Sequence, residues 1–183
     1  MEIRRLDLAD ETAFLEFNQL LLAEKEAGQS FIETKEVTDF AAYVQKLTGQ
    51  ERLVEHPDWS MVTSYFAFVD GQVAGKISCR WELEKGNLAE IGGHIGYATS
   101  PRFRRQGIMK GLLYFAFDRY LERGIDKIFI TALENNLPSR KTIESVGGVL
   151  QDVIDLEDGK RLARYWVDIR KGGYYGHSQI RIE

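Results

Sequence analysis

The 183 residues hold one cysteine, Cys79, and three histidines. A single thiol excludes an internal disulfide and a cysteine-built zinc site. Scattered histidines offer no ligand spacing, so no metal is expected. Long apolar runs are missing too. The longest, Leu112 to Phe117, falls far short of the ~20 residues that cross a bilayer, and no signal-like segment opens the sequence. A cytoplasmic protein without membrane contact is expected. The formal net charge is -4, so the chain lacks the basic footprint of a nucleic-acid binder. It also lacks the P-loop spacing Gly-x-x-x-x-Gly-Lys-Ser/Thr and the dinucleotide fingerprint Gly-x-Gly-x-x-Gly.

Apolar content of 44% and charged content of 28% are those of a globular domain with a full core, and residues 1–183 are read as one domain. Basic charge is local, at Arg102 to Arg105 and at Arg140-Lys141, which suits one small polyanion. Pro101 to Gly111 follows a strand-like run and opens a helical one. Such a junction aims several backbone N–H groups at one spot, where the helix dipole adds partial positive charge. Gly107 keeps bulk away, and Arg104, Arg105 and Lys110 add full charges. The segment is suited to hold phosphate.

Periodicity orders the rest. Glu2 to Leu6 is a short strand. Asp10 is placed to cap a helix carrying Phe14, Phe17, Leu21 and Leu22, and Thr38 or Asp39 a helix carrying Phe40, Tyr43, Val44 and Leu47. Val62 to Val69 and the alternating Val73 to Glu84 flank Asp70-Gly71, a hairpin signal. Cys79 falls on the apolar face and is read as a buried thiol. Leu88 to Thr99 is predicted as a glycine-rich strand, with Glu90, His94 and the small Gly92, Gly96 and Ala98 on one face. A helix with Met109, Leu112, Leu113, Ala116, Phe117 and Tyr120 inward follows Gly107. Then come a strand over Asp126 to Ala132, a helix over Asn136 to Val146 and a hairpin over Val149 to Arg170.

Arg104-Arg105-Gln106-Gly107-Ile108-Met109 resembles the pyrophosphate loop of the GNAT superfamily of acyl-CoA-dependent N-acyltransferases, with Met109 where Gly or Ala is usual. Asn136-Leu137-Pro138-Ser139, continued to Gly147, is similar to that family's Asn-x-x-Ala segment. Gly93-His94-Ile95-Gly96-Tyr97 and Arg164-Tyr165-Trp166 look like a bacterial subgroup of predicted acetyltransferases. The resemblance implies an α/β (α+β) GNAT-type fold. Its central mixed, mostly antiparallel sheet is flanked by helices, with a splayed parallel pair at Leu88–Thr99 and Asp126–Ala132.

By the same resemblance the co-substrate is acetyl-CoA. Tyr97, Ala98 and Thr99 would pair with its pantetheine arm. Arg104, Arg105, Gln106, Gly107, Ile108, Met109 and Lys110 would hold its pyrophosphate, and Asn136, Ser139 and Lys141 would reach it from the other side. The reaction implied is transfer of acetyl to a primary amine of a small molecule or peptide, the alternative being an acyl-CoA-binding domain without catalysis. A homodimer through the tyrosine-rich C-terminus also fits the family.

The chemistry has a gap. The family often uses a tyrosine on the second of these helices as the acid, and Ile143 stands there. That role is either filled by Tyr165, Tyr97 or water, or left unfilled. Glu90 and His94 are candidate bases, about 13 Å apart if the segment is extended at 3.3 Å per residue. Trp59, Tyr65, Trp81 and Glu82 are candidates to bind the acceptor.

Overall fold

A computed structural model describes Met1 to Arg170. The C-terminal tail, expected as a dimer contact, lies outside the described residues. β1 (Glu2–Arg4), β2 (Val62–Val69), β3 (Gln72–Arg80) and β4 (Ile95–Thr99) form an antiparallel sheet in that order. β5 (Lys127–Leu133), β6 (Val149–Asp155) and β7 (Arg161–Asp168) form a second, with β7 central. The helices are α1 (Glu11–Glu26), α2 (Phe40–Gln50), α3 (Ile108–Leu121), which links β4 to β5, and α4 (Leu137–Ser145), which links β5 to β6.

Local chemistry accounts for most element ends. Asp70 and Gly71 both take positive φ, 49° and 75°, as a two-residue hairpin requires. Asp39 caps α2 by accepting the Ala42 N–H at 2.9 Å. Asp10 does not cap α1, because its carboxylate receives the Arg4 guanidinium at 2.6 and 2.8 Å and the Asp7 N–H at 2.9 Å. Asp7 instead caps the 3-10 turn Leu8–Asp10.

Two apolar clusters hold the layers. Phe14, Phe17 and Phe40 of α1 and α2 pack on Phe66, Phe68 and Val73. Val73 changes face because the register slips between Ala67 and Phe68. On the other side the whole predicted α3 stripe is buried against Ile77, Ile128, Ile143 and Val167, so one core joins both sheets. Each fully buried Leu or Phe there contributes roughly 1.5–3 kcal/mol. Cys79 is fully buried, and burial pushes its thiol up to about 12. It is a core residue.

The predicted strand over Leu88 to Thr99 is half right. Only Ile95–Thr99 is extended, and Leu88–Gly92 is wound into a π turn. The Asn87 carbonyl gathers the N–H groups of Glu90, Ile91 and Gly92, and Gly93 donates to the Leu88 carbonyl at 2.8 Å. Thr131 Oγ1 and Arg80 Nη1 then donate to the carbonyls of Ile91 (2.7 Å) and Gly92 (2.9 Å). Glycine-rich backbone yields to such distant donors because no strong local preference opposes them. β3 likewise stops at Arg80 rather than Glu84.

Candidate active site

The gap between the sheets is set by His94. Its N–H donates to the Phe129 carbonyl at 2.8 Å, and its side-chain Nδ1 accepts the Phe129 N–H at 2.9 Å. An imidazole nitrogen therefore stands where a backbone carbonyl would continue the ladder. Beyond it β4 and β5 share no ladder, since they belong to separate sheets. Gly93 permits the approach: its φ is +67°, and a Cβ would lie 2.8 Å from the Phe129 oxygen. Tyr120 Oη, donating to the His94 carbonyl at 2.8 Å, fixes the same corner from α3.

His94 is thus a positioning residue and not the base expected of it. Burial lowers its pKa from 6.5 to about 4. An unfolded histidine takes a proton near pH 6.5, so this group's contribution is full above that pH and is lost as pH falls toward 4. The whole window is worth about 3 kcal/mol. Urea titrations at pH 7 and 4.5 should show this extra loss in the native sequence and not in His94→Gln, which keeps an acceptor. Equal losses in both proteins would refute the assignment.

β4 presents a free edge to the gap. Ser100 donates to the Ala74 carbonyl at 2.9 Å, so the 100/74 pair is hydrogen-bonded. Bonded pairs alternate in an antiparallel ladder. Ala98 opposite Lys76 and Gly96 opposite Ser78 are therefore bonded to β3, whereas the N–H and C=O groups of Tyr97 and Thr99 point into the gap. The expectation for Tyr97 and Thr99 fits this geometry. Ala98 is a correction, since its backbone is already paired.

The loop after β4 ends at Gly107, the N-cap of α3, in the left-handed region at φ 77°. Among the described residues, no acceptor takes the N–H groups of Arg105 to Lys110, and the first helical bond is Gly111 N–H to the Gly107 carbonyl. The loop side chains divide. Arg105, itself at φ 60°, and Lys110 are exposed. Arg104 is a correction: its two nitrogens grip the Glu24 carboxylate on α1, both at 2.6 Å. Gln106 Nε2 donates to the Arg102 carbonyl at 3.2 Å and braces the loop. Ile108 and Met109 are buried, so they offer only backbone.

α4 forms the facing wall. Asn136 Oδ1 caps it at the Ser139 N–H (3.2 Å), and Lys141 is exposed. Tyr97 reaches across the gap, its hydroxyl 2.6 Å from Ser139 Oγ. Burial pushes the Tyr97 phenol up to about 12. Ile143 is fully buried in the core. Tyr165, expected as a possible acid, is also buried; its hydroxyl accepts from Arg140 Nε (2.7 Å) and donates to Glu144 Oε1 (3.0 Å). That hydroxyl ties β7 to α4 and is not available to a substrate.

On the α2 side of the first sheet lies a cavity of about 1130 Å³ between α2, the 53–60 loop and residues 85–88. Of the four acceptor candidates only Trp59 lines it. Tyr65 packs edge-on against Phe115 (4.9 Å) and Trp81 against Tyr120 (4.7 Å), both on the α3 side. Glu82 accepts the Met61 N–H at 2.9 Å and holds a turn. Glu90 is exposed in the π turn. Arg80 and His56 line the cavity and were not singled out from the sequence; the only local sign was Arg80's place on the polar face of β3.

Free N–H groups at a helix start, an unpaired strand edge leading from them and a cavity on the α2 side of the first sheet suit an acyl-CoA transferase. The sequence profile of the acetyltransferase (GNAT) family matches residues 22–147, and the chain belongs to that family. It is an N-acetyltransferase that uses acetyl-CoA as co-substrate. No curated protein sequence matches the chain. Among solved structures, it is similar to a Salmonella typhimurium acetyl transferase that modifies the N-terminal serine of ribosomal protein L7/L12. That match has 21% identity, covers 91% of this chain and 94% of that one, and has a TM-score of 0.66. Mycobacterium smegmatis RimJ, solved with CoA-disulfide, matches at 17% identity over 92% and 81%, TM-score 0.69. Salmonella typhimurium yncA, solved with acetyl-CoA, matches at 15% over 93% and 95%, TM-score 0.63. At these identities the likenesses show the fold. No helix among the described residues is long and apolar enough to cross a membrane.

Proposed function

We propose that the chain works as one cytoplasmic domain that moves acetyl from acetyl-CoA directly to a primary amine of a small molecule or peptide. The observation that carries this is the continuous path from unpaired N–H groups at Arg105 to Lys110 to the unpaired edge of β4. The amides take the pyrophosphate, helped by Arg105, Lys110 and Lys141. The Tyr97 carbonyl and Thr99 pair with the pantetheine arm as an added strand would, and Asn136 and Ser139 flank it from α4.

The amine nitrogen attacks the thioester carbon, a Tyr97 backbone N–H steadies the oxygen and the C–S bond breaks. The Tyr97 hydroxyl protonates the leaving thiolate, and Glu90 receives the amine proton through water. Holding the reactants aligned supplies roughly 7–11 kcal/mol, so few side chains are needed. In this assignment His94 and Tyr165 position the walls. We also propose a homodimer, for which the tyrosine-rich C-terminal sequence from Gly172 is the candidate contact.

Calorimetry with acetyl-CoA, followed by thiol release across a panel of amines, tests the reading. Binding with amine-dependent release is expected; tight binding with no release from any amine would refute it.

A further inference from the structure

Arg80 is at odds with its surroundings. It is largely buried, and burial pushes its pKa below the ordinary guanidinium value. Yet among the described residues it makes no ion pair. Nη1 donates to the carbonyls of Gly92 (2.9 Å) and Gly93 (3.1 Å). No protein acceptor is found for Nε or Nη2, and neither is sealed from solvent. A guanidinium with no carboxylate partner and two solvent-reached nitrogens keeps donors free for an anion entering the cavity.

Its position says where that anion would come from. Arg80 lines the α2-side cavity, and its Nη2 lies 3.2 Å from where a Cβ on Gly96 would be. The guanidinium therefore rests on β4 one residue before Tyr97, whose backbone opens to the acetyl-CoA gap on the other edge. A Cβ at position 96 would press on the end of this side chain. The rest of the cavity is mixed. Leu53 and Trp59, among the most exposed large apolar side chains at 77% and 55%, line it together with Lys46 and Lys85 and with two carboxylates, Glu55 and Asp58.

A partly buried cation with free donors and apolar side chains lining the same cavity fit a small amphipathic anion. We propose that the acceptor is an amino acid or close analogue, a small molecule carrying an amine and a carboxylate, whose carboxylate is bound by Arg80 and whose apolar side chain rests on Trp59 and Leu53. This inference rests on the acetyl-transfer reading and narrows its acceptor to one chemical class. Arg80 would be a specificity residue, holding the amine toward the thioester by its neighbouring group.

Thiol release from acetyl-CoA would be measured with leucine, phenylalanine and tryptophan as free acids and as their carboxamides. The native protein should prefer the acids by about 100-fold in kcat/KM, the scale of losing one member of a close charge pair. Arg80→Gln should erase the preference and Arg80→Lys restore part of it. Calorimetric acetyl-CoA binding would verify that each variant is folded, because Arg80 also braces the π turn. Turnover of acids and amides at equal rates would overturn the inference and leave acetyl transfer intact. Calorimetric binding of the acids, lost in Arg80→Gln, with no turnover of any amine would overturn the transfer reading and keep the anion site. Neither binding nor turnover of the acids, with other amines accepted, would also overturn it.

Discussion

Replacing Gly107 by Asp raises the KM for acetyl-CoA by at least about 100-fold, whereas replacing it by Asn raises it by less than about tenfold. Gly107 has φ +77°, and a Cβ added there meets nothing within 4 Å. Asn and Asp are the side chains that best tolerate this backbone region, so both variants keep the loop at modest strain. They have nearly the same shape and differ in charge. A carboxylate beside unpaired N–H groups competes for the place of the pyrophosphate and repels it. Like-charge juxtaposition in a site of this kind costs several kcal/mol, at about 1.4 kcal/mol per decade of affinity. Steady-state KM and calorimetric Kd for the three proteins decide the matter. Equal values for Asn and Asp would place the phosphates elsewhere.

Replacing Tyr97 by Phe lowers kcat by about 100-fold, the lower range for a lost general acid, and changes the KM for acetyl-CoA by less than about threefold. The backbone that pairs with the arm is retained, so binding is spared. What is lost is the hydroxyl that spans the gap to Ser139 Oγ at 2.6 Å. Burial holds this phenol near 12, so it keeps its proton through the working range. The native kcat should accordingly show no descending alkaline limb below about pH 10, since a group with that pKa is still protonated there. Ser139→Ala, which removes the hydroxyl's partner and one polar flank of the arm, should cost much less in kcat than Tyr97→Phe. An unchanged kcat in Tyr97→Phe would assign the proton to water.

In the proposed mechanism, Ile143 is the reason that the phenol comes from β4. The family's tyrosine position is occupied here by an aliphatic side chain fully buried beneath α3. Nothing on α4 at that point can donate. Tyr97 approaches the same gap from the opposite wall and meets α4 one helical turn earlier, at Ser139. The departure visible in the sequence is thus matched by a phenol on the facing strand.

The sequence by itself determined what depends on neighbours a few residues apart. The α3 stripe, the Asp70-Gly71 turn, the Asp39 cap and the Gly107 cradle all follow from local periodicity, local dihedral preference and the unsatisfied N–H groups of a helix start. Tertiary structure alone decided the rest, because the deciding partners are far away along the chain. Glu24 takes Arg104 across 80 positions, Arg140 and Glu144 occupy the Tyr165 hydroxyl, and Phe129 turns His94 from a candidate base into the residue that parts the sheets. The glycine-rich 88–93 segment has little preference of its own, so Arg80 and Thr131 set its shape. The unpaired guanidinium of Arg80 is of the same kind: a charge with no carboxylate can be seen only once every neighbour is in place.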